Sequence, residues 1–529
     1  MYKPIMLYLR NSTVRTISDL YTKRTCQKYI QVINVEQKRY KYTQYKGVKG
    51  IRSKKSIYIA KENVNFEEVT ESNPVESLNL QDREYDEVAN VTMNISRNCN
   101  AVQNVLILQP YVKWGPNRNK QRTPDEQLEE AEALVRSLPN WNIASSIKVP
   151  IESLDKKTLF GSGKIEELKN LVKNARQYNN EQPLTCVFVS KSSLSFVQKR
   201  FLTAELNLPI MDRYSVVIQI LRLHATSAEA RLQVAMAELP YIWAQAKDDN
   251  LSISRKQGYS LTDIQRELLK SRERKLKLEL ESIRHHRKLL RKKRKQNNYP
   301  IIAVIGYTNA GKTSLIKALT NEHKMQPRDQ LFATLDVTAH SGVLPCNLEV
   351  IYMDTVGFMS DIPTGLIECF IATLEDAMLA DVIIHVQDLA HNCCKAQAQH
   401  VEETLKSLVN NILSDEAERN SLPPIINVGN KIDLVQVPEK LNQNMISVSS
   451  TKQTGLHSLL TEIEKQILLS TKRKKITIKV CNGGNEMTWL YKNAAVVRTR
   501  ADETNVQYLL MDVVIADKAM SQFRRLFCE

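Results

Sequence analysis

The sequence predicts an α/β protein, and three observations predict it. First, the short apolar run Ile301-Ile-Ala-Val-Ile305 leads into a glycine-bearing loop, Gly306 to Thr313, followed by a helical pattern. Second, further apolar runs at 102–108, 184–189, 348–353 and 425–428 alternate with helix-period segments, the pattern of a largely parallel sheet. Third, two long helical stretches, about 226–247 and 261–295, separate an upstream α/β unit from the glycine loop. The expected segments are a basic leader (1–57), an acidic linker (58–100), a small N-terminal α/β domain (101–223) and a helical hairpin with a basic end (224–297). A domain that carries the glycine loop on a mostly parallel sheet (298–470) and a small α+β C-terminal domain (471–529) follow.

Composition bounds the possibilities. The chain has 529 residues and a net charge of +16, long enough for about three domains. No apolar run reaches the ~18–20 residues of a spanning helix, so no integral membrane association is expected. The nine cysteines form no C-x-x-C pair, which reads as scattered reduced thiols rather than a disulfide or zinc framework. Residues 1–55 carry fourteen Lys/Arg against Asp19 and Glu36, a net +12, leaving +4 for the remainder. An acid-poor, Arg-, Lys- and Ser/Thr-bearing N-terminus without an apolar signal core reads as a mitochondrial import segment. The alternative is a basic arm that binds RNA and a cytoplasmic protein. Residues 62–87 hold nine acids against Arg83 and read as a solvated linker.

In the N-terminal unit, 102–108 reads as a buried strand. A helix through Leu128, Ala131, Leu134, Val135 and Leu138 follows, and another begins near Lys164 after a Gly161-Ser-Gly163 turn. Residues 184–189 give a second apolar strand. Nothing in this unit has catalytic spacing. Of the two long helices, the second carries Leu269, Leu276, Ile283 and Leu290 seven apart, one seam for one partner, so an antiparallel hairpin with its tip near 248–260 is expected. Its end holds eight cations between Arg284 and Lys295. These read either as a solvated face suited to a helix C-terminus or as a grip on nucleic-acid phosphate. On the second reading Arg284, Arg287, Lys288, Arg291 and Lys292 point largely away from the seam.

The glycine loop reads Gly306-Tyr307-Thr308-Asn309-Ala310-Gly311-Lys312-Thr313, a P-loop in its strand–loop–helix setting. Backbone N–H groups would face phosphates, Lys312 would supply a compact charge to the β- and γ-phosphates, and the Thr313 hydroxyl would ligate Mg²⁺. Downstream, Asp354-Thr355-Val356-Gly357 places a carboxylate to hold Mg²⁺ through water and a glycine N–H for the γ-phosphate. Asn430-Lys431-Ile432-Asp433 supplies a carboxylate that accepts both N1–H and the 2-amino group of guanine, which adenine does not offer. Ser449 and Ser450 follow the next strand, where a backbone N–H can meet the guanine O6. Four such elements in order imply a GTP- and GDP-binding GTPase.

The wording of these motifs resembles the HflX GTPases of the Obg–HflX superfamily. The resemblance rests on Gly306-Tyr-Thr-Asn-Ala-Gly-Lys-Thr-Ser, Leu331-Phe-Ala-Thr-Leu-Asp336 and Asp354-Thr-Val-Gly-Phe358. Upstream it includes Gly161-Ser-Gly-Lys-Ile-Glu-Glu-Leu, Asp212-Arg213 and Arg231-Leu-Gln-Val-Ala-Met-Ala-Glu-Leu-Pro-Tyr. It covers about 102–529 and, with the leader, is most like the mitochondrial animal branch, placing the chain in the mitochondrial matrix.

The resemblance implies that Thr334, within Phe332-Ala333-Thr334-Leu335-Asp336, completes Mg²⁺ coordination, and that Lys312, Thr334 and Gly357 carry the hydrolytic step. Asn309 aligns with a residue that supports K⁺ in related GTPases, or is a plain loop residue. Phe358 stands where many GTPases carry a water-orienting Gln. An apolar ring cannot orient water by hydrogen bonding, so slow, partner-dependent intrinsic hydrolysis is expected. The implied partners are the large ribosomal subunit and its rRNA, with ribosome splitting as the leading role and a monomeric chain. The alternatives are large-subunit assembly, or an RNA-binding scaffold with vestigial turnover. Two departures stand out. The segment after the switch threonine reads Asp336-Val-Thr-Ala-His340, and 248–260 keeps only Gly258.

Overall fold

Alternating apolar and polar preference decides how each strand is covered, and here the central strands are apolar on both faces. A computed structural model gives the arrangement; it describes residues 102–116, 118, 122–178, 183–247, 263–296, 299–322, 330–332, 334–335, 337–360, 378–412, 423–435, 445–503, 505 and 507–527. The expectations for the leader, the acidic linker, the hairpin tip, Ala333 and Asp336 lie outside the described residues. All described residues fall within one unit, Leu78–Glu529.

The N-terminal domain is a four-stranded parallel sheet in the order β2-β1-β3-β4, formed by β1 (Gln103–Val112), β2 (Trp141–Ile151), β3 (Cys186–Val189) and β4 (Ile210–Asp212). The segment at 184–189 is therefore the third strand in chain order, not the second. β2 escapes a search for apolar runs because Asn142, Ser145, Ser146 and Lys148 interrupt it. The helices are α1 (Pro124–Arg136), α2 (Ser162–Tyr178), α3 (Phe196–Leu206) and α4 (Arg213–His224). α2 begins at Ser162, so Gly163 lies inside its first turn rather than in a preceding turn. α1 starts on a capping box: the Thr123 hydroxyl accepts from the Glu126 N–H, the Glu126 carboxylate accepts from the Thr123 N–H, and Pro124 occupies the first turn. Leu106 and Leu108 face one core, and Val105 and Ile107 the other, as in parallel sheets covered on both sides.

The hairpin is α5 (Ala228–Lys247) against α6 (Asp263–Gln296). Glu229 at the start of α5 pairs with Arg287 near the end of α6, so the helices run antiparallel. Leu269 and Leu276 are buried, while Ile283 and Leu290 are half-buried. The expectation that Arg287 points away from the seam is corrected. It lies four residues past Ile283, on the same side, and its side chain is only 14% exposed.

α5 is stapled to the N-terminal domain. Its Tyr241 hydroxyl donates to Asp212 Oδ2 (3.0 Å), its ring stacks on Tyr214 with centroids 4.9 Å apart, and its Glu238 pairs with Arg222. Asp212 also accepts from the N–H groups of Leu194 and Ser215. The family-like residues Asp212, Glu238 and Tyr241 thus join a helix to a sheet domain.

The third layer is a six-stranded sheet in the order β10-β9-β8-β5-β7-β6, parallel except for β6 against β7. Its strands are β5 (Ile301–Gly306), β6 (Thr338–Val343), β7 (Glu349–Asp354), β8 (Val382–Asp388), β9 (Ile425–Asn430) and β10 (Ile446–Ser447). α7 (Lys312–Thr320), α8 (Cys394–Ile412) and α9 (Leu456–Ser470) cover it. Ile302 and Val304 point into a core with α7 and α9. Ala303 and Ile305 point into the cluster that also holds Tyr214, Tyr241, Leu269 and Phe358. One continuous core therefore joins the N-terminal domain, the hairpin and the nucleotide-binding sheet.

The C-terminal domain is a three-stranded antiparallel sheet, β11 (Arg473–Cys481), β13 (Tyr508–Ala516) and β12 (Ala495–Ala501), under α10 (Asn485–Asn493) and α11 (Asp517–Phe527). No helix among the described residues is long and apolar enough to cross a membrane. Among the described residues Cys186, Cys346, Cys393, Cys394 and Cys481 are free thiols.

Candidate guanine-nucleotide site

The site forms at the carboxyl ends of β5, β7 and β9, where ligands bind in open α/β sheets. The P-loop and the Asp354–Gly357 loop lie so close that side chains are excluded at one point in each. Gly311 has φ +90°, and a Cβ there would lie 2.3 Å from Asn430 Nδ2. A Cβ on Gly357 would lie 2.8 Å from Thr308 Cα and 3.0 Å from Lys312 Nζ. Both positions therefore require glycine.

Lys312 opens α7 and folds back over the loop, donating to Tyr307 O (3.0 Å) and Gly306 O (3.4 Å). It is 7% exposed. Burial pulls its ammonium down to about 8, against the opposing charge of Asp354. Burial also raises the Asp354 carboxyl, against hydrogen bonds from Thr313 and Thr334 and the charge of Lys312. Burial thus outweighs the mutual attraction of the pair in both directions.

A polyphosphate supplies negative charge to Lys312 and restores the ammonium. Nucleotide binding above pH 8 should therefore take up a proton, and log K should fall with rising pH, by up to about one unit per pH unit. Calorimetry at pH 8.5 in two buffers of different ionisation enthalpy measures the uptake. Zero protons taken up would contradict the assignment.

The three expected cation ligands converge. Thr313 Oγ1 donates to Asp354 Oδ2 (2.5 Å), and Thr334 Oγ1 lies 3.0 Å from Thr313 Oγ1 and 3.1 Å from Asp354 Oδ2. Asp354 Oδ1 is buried and without a hydrogen-bond partner. Hard oxygens gathered around an unsatisfied carboxylate fit a small divalent cation. Thr334 reaches this place because its neighbours Phe332 and Leu335 are anchored in the shared core. Thr355 is held below by its bond to Val304 O (2.7 Å), and Val356 is buried in the same core.

On the base side, Asn430 ties the two halves together. Its Nδ2 donates to Ala310 O (3.0 Å), and its Oδ1 accepts from Ser450 N (3.1 Å) and Ser450 Oγ (2.9 Å). Lys431 pairs with Asp388 at 2.8 Å. Ile432 N donates to Val448 O (3.3 Å), which holds Asp433 beside the Ser449 loop. Asp433 accepts from Ser449 Oγ (2.6 Å), and that bond holds its carboxyl below the ordinary range.

The expectation for the O6 contact meets a competing bond. Ser449 N donates to Thr454 O (3.0 Å) and Ser450 N to Asn430 Oδ1. The Ser449 or Ser450 N–H reaches O6 only by exchanging a partner. Thr451 and Lys452 complete the loop, Thr451 beside Ser449 Oγ (3.1 Å) and Lys452 N donating to it (3.1 Å). Sequence reasoning missed these two and Asp388, although the run Val382-Ile-Ile-His-Val386 was a signal for the strand that carries Asp388.

Asn309 sits at the exposed tip of the P-loop with φ 62°. Phe358 is turned away from the phosphate side. Its ring is buried in the core shared with the N-terminal domain, while its N–H donates to Gly306 O (3.0 Å) and its carbonyl accepts from Thr308 N (2.7 Å). The side chain that replaces Gln is thus a packing element.

Comparison with known proteins agrees with this geometry. A family described as 50S ribosome-binding GTPase matches residues 301–431. Families described as GTP-binding GTPase N-terminal and GTP-binding GTPase Middle Region match 125–221 and 224–294. GTP-binding protein 6 of Xenopus laevis is 39% identical over 436 residues, 80% of each chain. The Homo sapiens protein of that name is 37% identical over 437 residues, 80% of this chain and 81% of the relative. GTPase HflX of Caldanaerobacter subterraneus subsp. tengcongensis is 35% identical over 328 residues, 60% of this chain and 72% of the relative. With these family matches and relatives, the chain belongs to the HflX family of GTPases.

Proposed function

We propose that this GTPase works on the large ribosomal subunit of mitochondria, binding it in the GTP state, promoting its separation from the small subunit, and leaving after hydrolysis. The observation that carries the reading is the end of α6. Arg284, Lys288 and Lys292 recur every four residues and are exposed, while Arg287 turns inward to Glu229. A hairpin stapled to the N-terminal domain presents this row rigidly, and rRNA phosphate is the matching surface. The match of 301–431 to a family described as 50S ribosome-binding GTPase supports the same partner. Thr313, Thr334 and Asp354 would hold Mg²⁺, which supplies charge neutralisation at the phosphates when bound.

Sedimentation of mitochondrial ribosomes with the full chain and a non-hydrolysable GTP analogue tests the proposal. Release of free subunits is expected. Undissociated ribosomes with the factor bound would leave large-subunit assembly as the role. Fractionation of cells should return the protein with the matrix, and recovery in the cytosol would overturn the mitochondrial setting.

The Arg284/Lys288/Lys292→Gln variant should bind large subunits more weakly. Its log K should depend less steeply on log salt, by roughly one unit per phosphate contact removed. An unchanged slope would return the row to a solvated face.

A further inference from the structure

A buried charged network lies where the N-terminal domain meets the P-loop, and its charged members belong to no nucleotide-binding motif. Arg122, the residue before the cap of α1, places Nη1 2.8 Å from Glu130 Oε2, and its Nη2 donates to Ser360 Oγ (2.7 Å) and Tyr307 Oη (3.2 Å). Arg213 at the start of α4 lies 2.9 Å from the same Glu130 oxygen. The Tyr307 hydroxyl donates to Glu130 and accepts from Ser360 N (2.9 Å). Tyr307 belongs to the P-loop, and Ser360 lies three residues beyond Gly357. One N-terminal-domain arginine therefore holds both loops that surround the terminal phosphate. The Arg122 and Glu130 side chains are 7% and 13% exposed. Burial raises the Glu130 carboxyl, but Arg213 and Arg122 outweigh it and hold the group below its usual range. A buried network of this kind fixes geometry far more firmly than an exposed pair.

The geometry it fixes bears on the nucleotide. Thr308 N–H, a P-loop amide, donates to Phe358 O, and Phe358 N–H donates to Gly306 O. The two loops are zipped together, with Gly357 packed on Thr308 and near Lys312. A terminal phosphate that draws on the Thr308 N–H competes with Phe358 O for it, and a diphosphate brings one phosphate fewer to that competition.

We propose that Arg122 is a positioning residue that holds the two loops closed through Tyr307 and Ser360, so that GTP binds by loosening the grip of the N-terminal domain. The network biases the site toward GDP. By reciprocity, whatever draws the N-terminal domain away favours GTP to the same degree. The inference rests on the guanine-nucleotide site and not on the ribosomal reading, and its test contains no ribosome.

The experiment measures dissociation constants for GDP and a non-hydrolysable GTP analogue on the full-length Arg122→Gln, Arg122→Lys and Ser360→Ala variants. Affinity for the analogue relative to GDP should rise about fivefold or more in Arg122→Gln, the lower end of typical coupling between sites. Ser360→Ala should move the same way, and it deletes a single hydroxyl if Arg122→Gln fails to fold. Arg122→Lys keeps a charge near Glu130 but loses the fork that reaches both loops, so an intermediate ratio is expected. The Arg122→Gln/Ser360→Ala pair should be less than additive, because the two residues share one bond. In the unaltered chain the analogue should lower hydrogen-exchange protection of α1, which a merely structural arginine would not produce. A ratio equal to that of the unaltered chain in Ser360→Ala and folded Arg122→Gln overturns the proposal, as does equal weakening of both nucleotides.

Discussion

Lys312→Ala should leave no measurable GTP hydrolysis, with or without a partner. The ammonium folds over the P-loop, set there by the first turn of α7 and by two carbonyls of the loop. Removing a single preorganised donor to a developing charge costs about 10²–10³ in rate. A charged donor in a buried site belongs at or beyond the upper end. Thr313→Ala should fall nearly as far, because its hydroxyl meets Asp354 and Thr334 at the centre of the oxygen cluster. Phe358→Leu provides the contrast. The ring packs in the core between domains, so its loss weakens packing by about 1 kcal/mol and should change turnover less than about tenfold. Single-turnover hydrolysis with purified variants measures all three. A collapse in Phe358→Leu equal to that in Lys312→Ala would show that the ring takes part in the chemistry.

Where local chemistry forces a pattern, the site is legible in the sequence. A phosphate loop needs glycines, a lysine and a hydroxyl at fixed spacing, and a guanine reader needs a carboxylate after a strand. Both are short-range requirements, and Gly306 to Thr313 and Asn430 to Asp433 meet them. β2 and β6 were not legible, because one is interrupted by polar residues and the other is an antiparallel edge strand, Thr338-Ala-His-Ser-Gly-Val343, with mixed exposure. Arg287 was misjudged because a heptad seam marks only the apolar positions, and an arginine beside the seam can turn in to a carboxylate on the partner helix. In the network of Arg122, Glu130, Arg213 and Ser360, only Arg213 had a sequence signal, as a family-like residue without a role. Its members lie up to 238 residues apart, and only the fold brings them together. Glu238 and Tyr241 were readable as family-like residues, yet their work as staples to Arg222 and Asp212 follows only from the packing of α5.

Asp433→Asn should convert the protein from a guanine to a xanthine binder. Asp433 is held at the edge of the site by Ser449 Oγ, and that bond holds its carboxyl below the ordinary carboxylate range, where it is ionised at neutral pH. An ionised carboxylate accepts two hydrogens and donates none, which matches N1–H and the 2-amino group of guanine. Adenine presents an acceptor at N1 and no amino group at C2, so its approach sets a lone pair against the carboxylate. An asparagine amide replaces one acceptor by a donor. Xanthine carries a carbonyl at C2 in place of the amino group and keeps N1–H, so the new amide can donate to O2 and accept from N1–H. With guanine the same amide faces a second donor and loses a charge-assisted bond, worth about 1.5–3 kcal/mol. Affinity for GTP should fall by roughly 10–10²-fold, while affinity for xanthosine triphosphate should rise above it. The lysine and P-loop contacts are untouched, so hydrolysis of the xanthine nucleotide should proceed near the GTP rate of the unaltered chain. Competition binding with the three triphosphates decides the matter. Unchanged GTP preference in Asp433→Asn, or equal binding of ATP and GTP by the unaltered chain, would place the base-reading group elsewhere in the loop formed by Ser449, Ser450, Thr451 and Lys452.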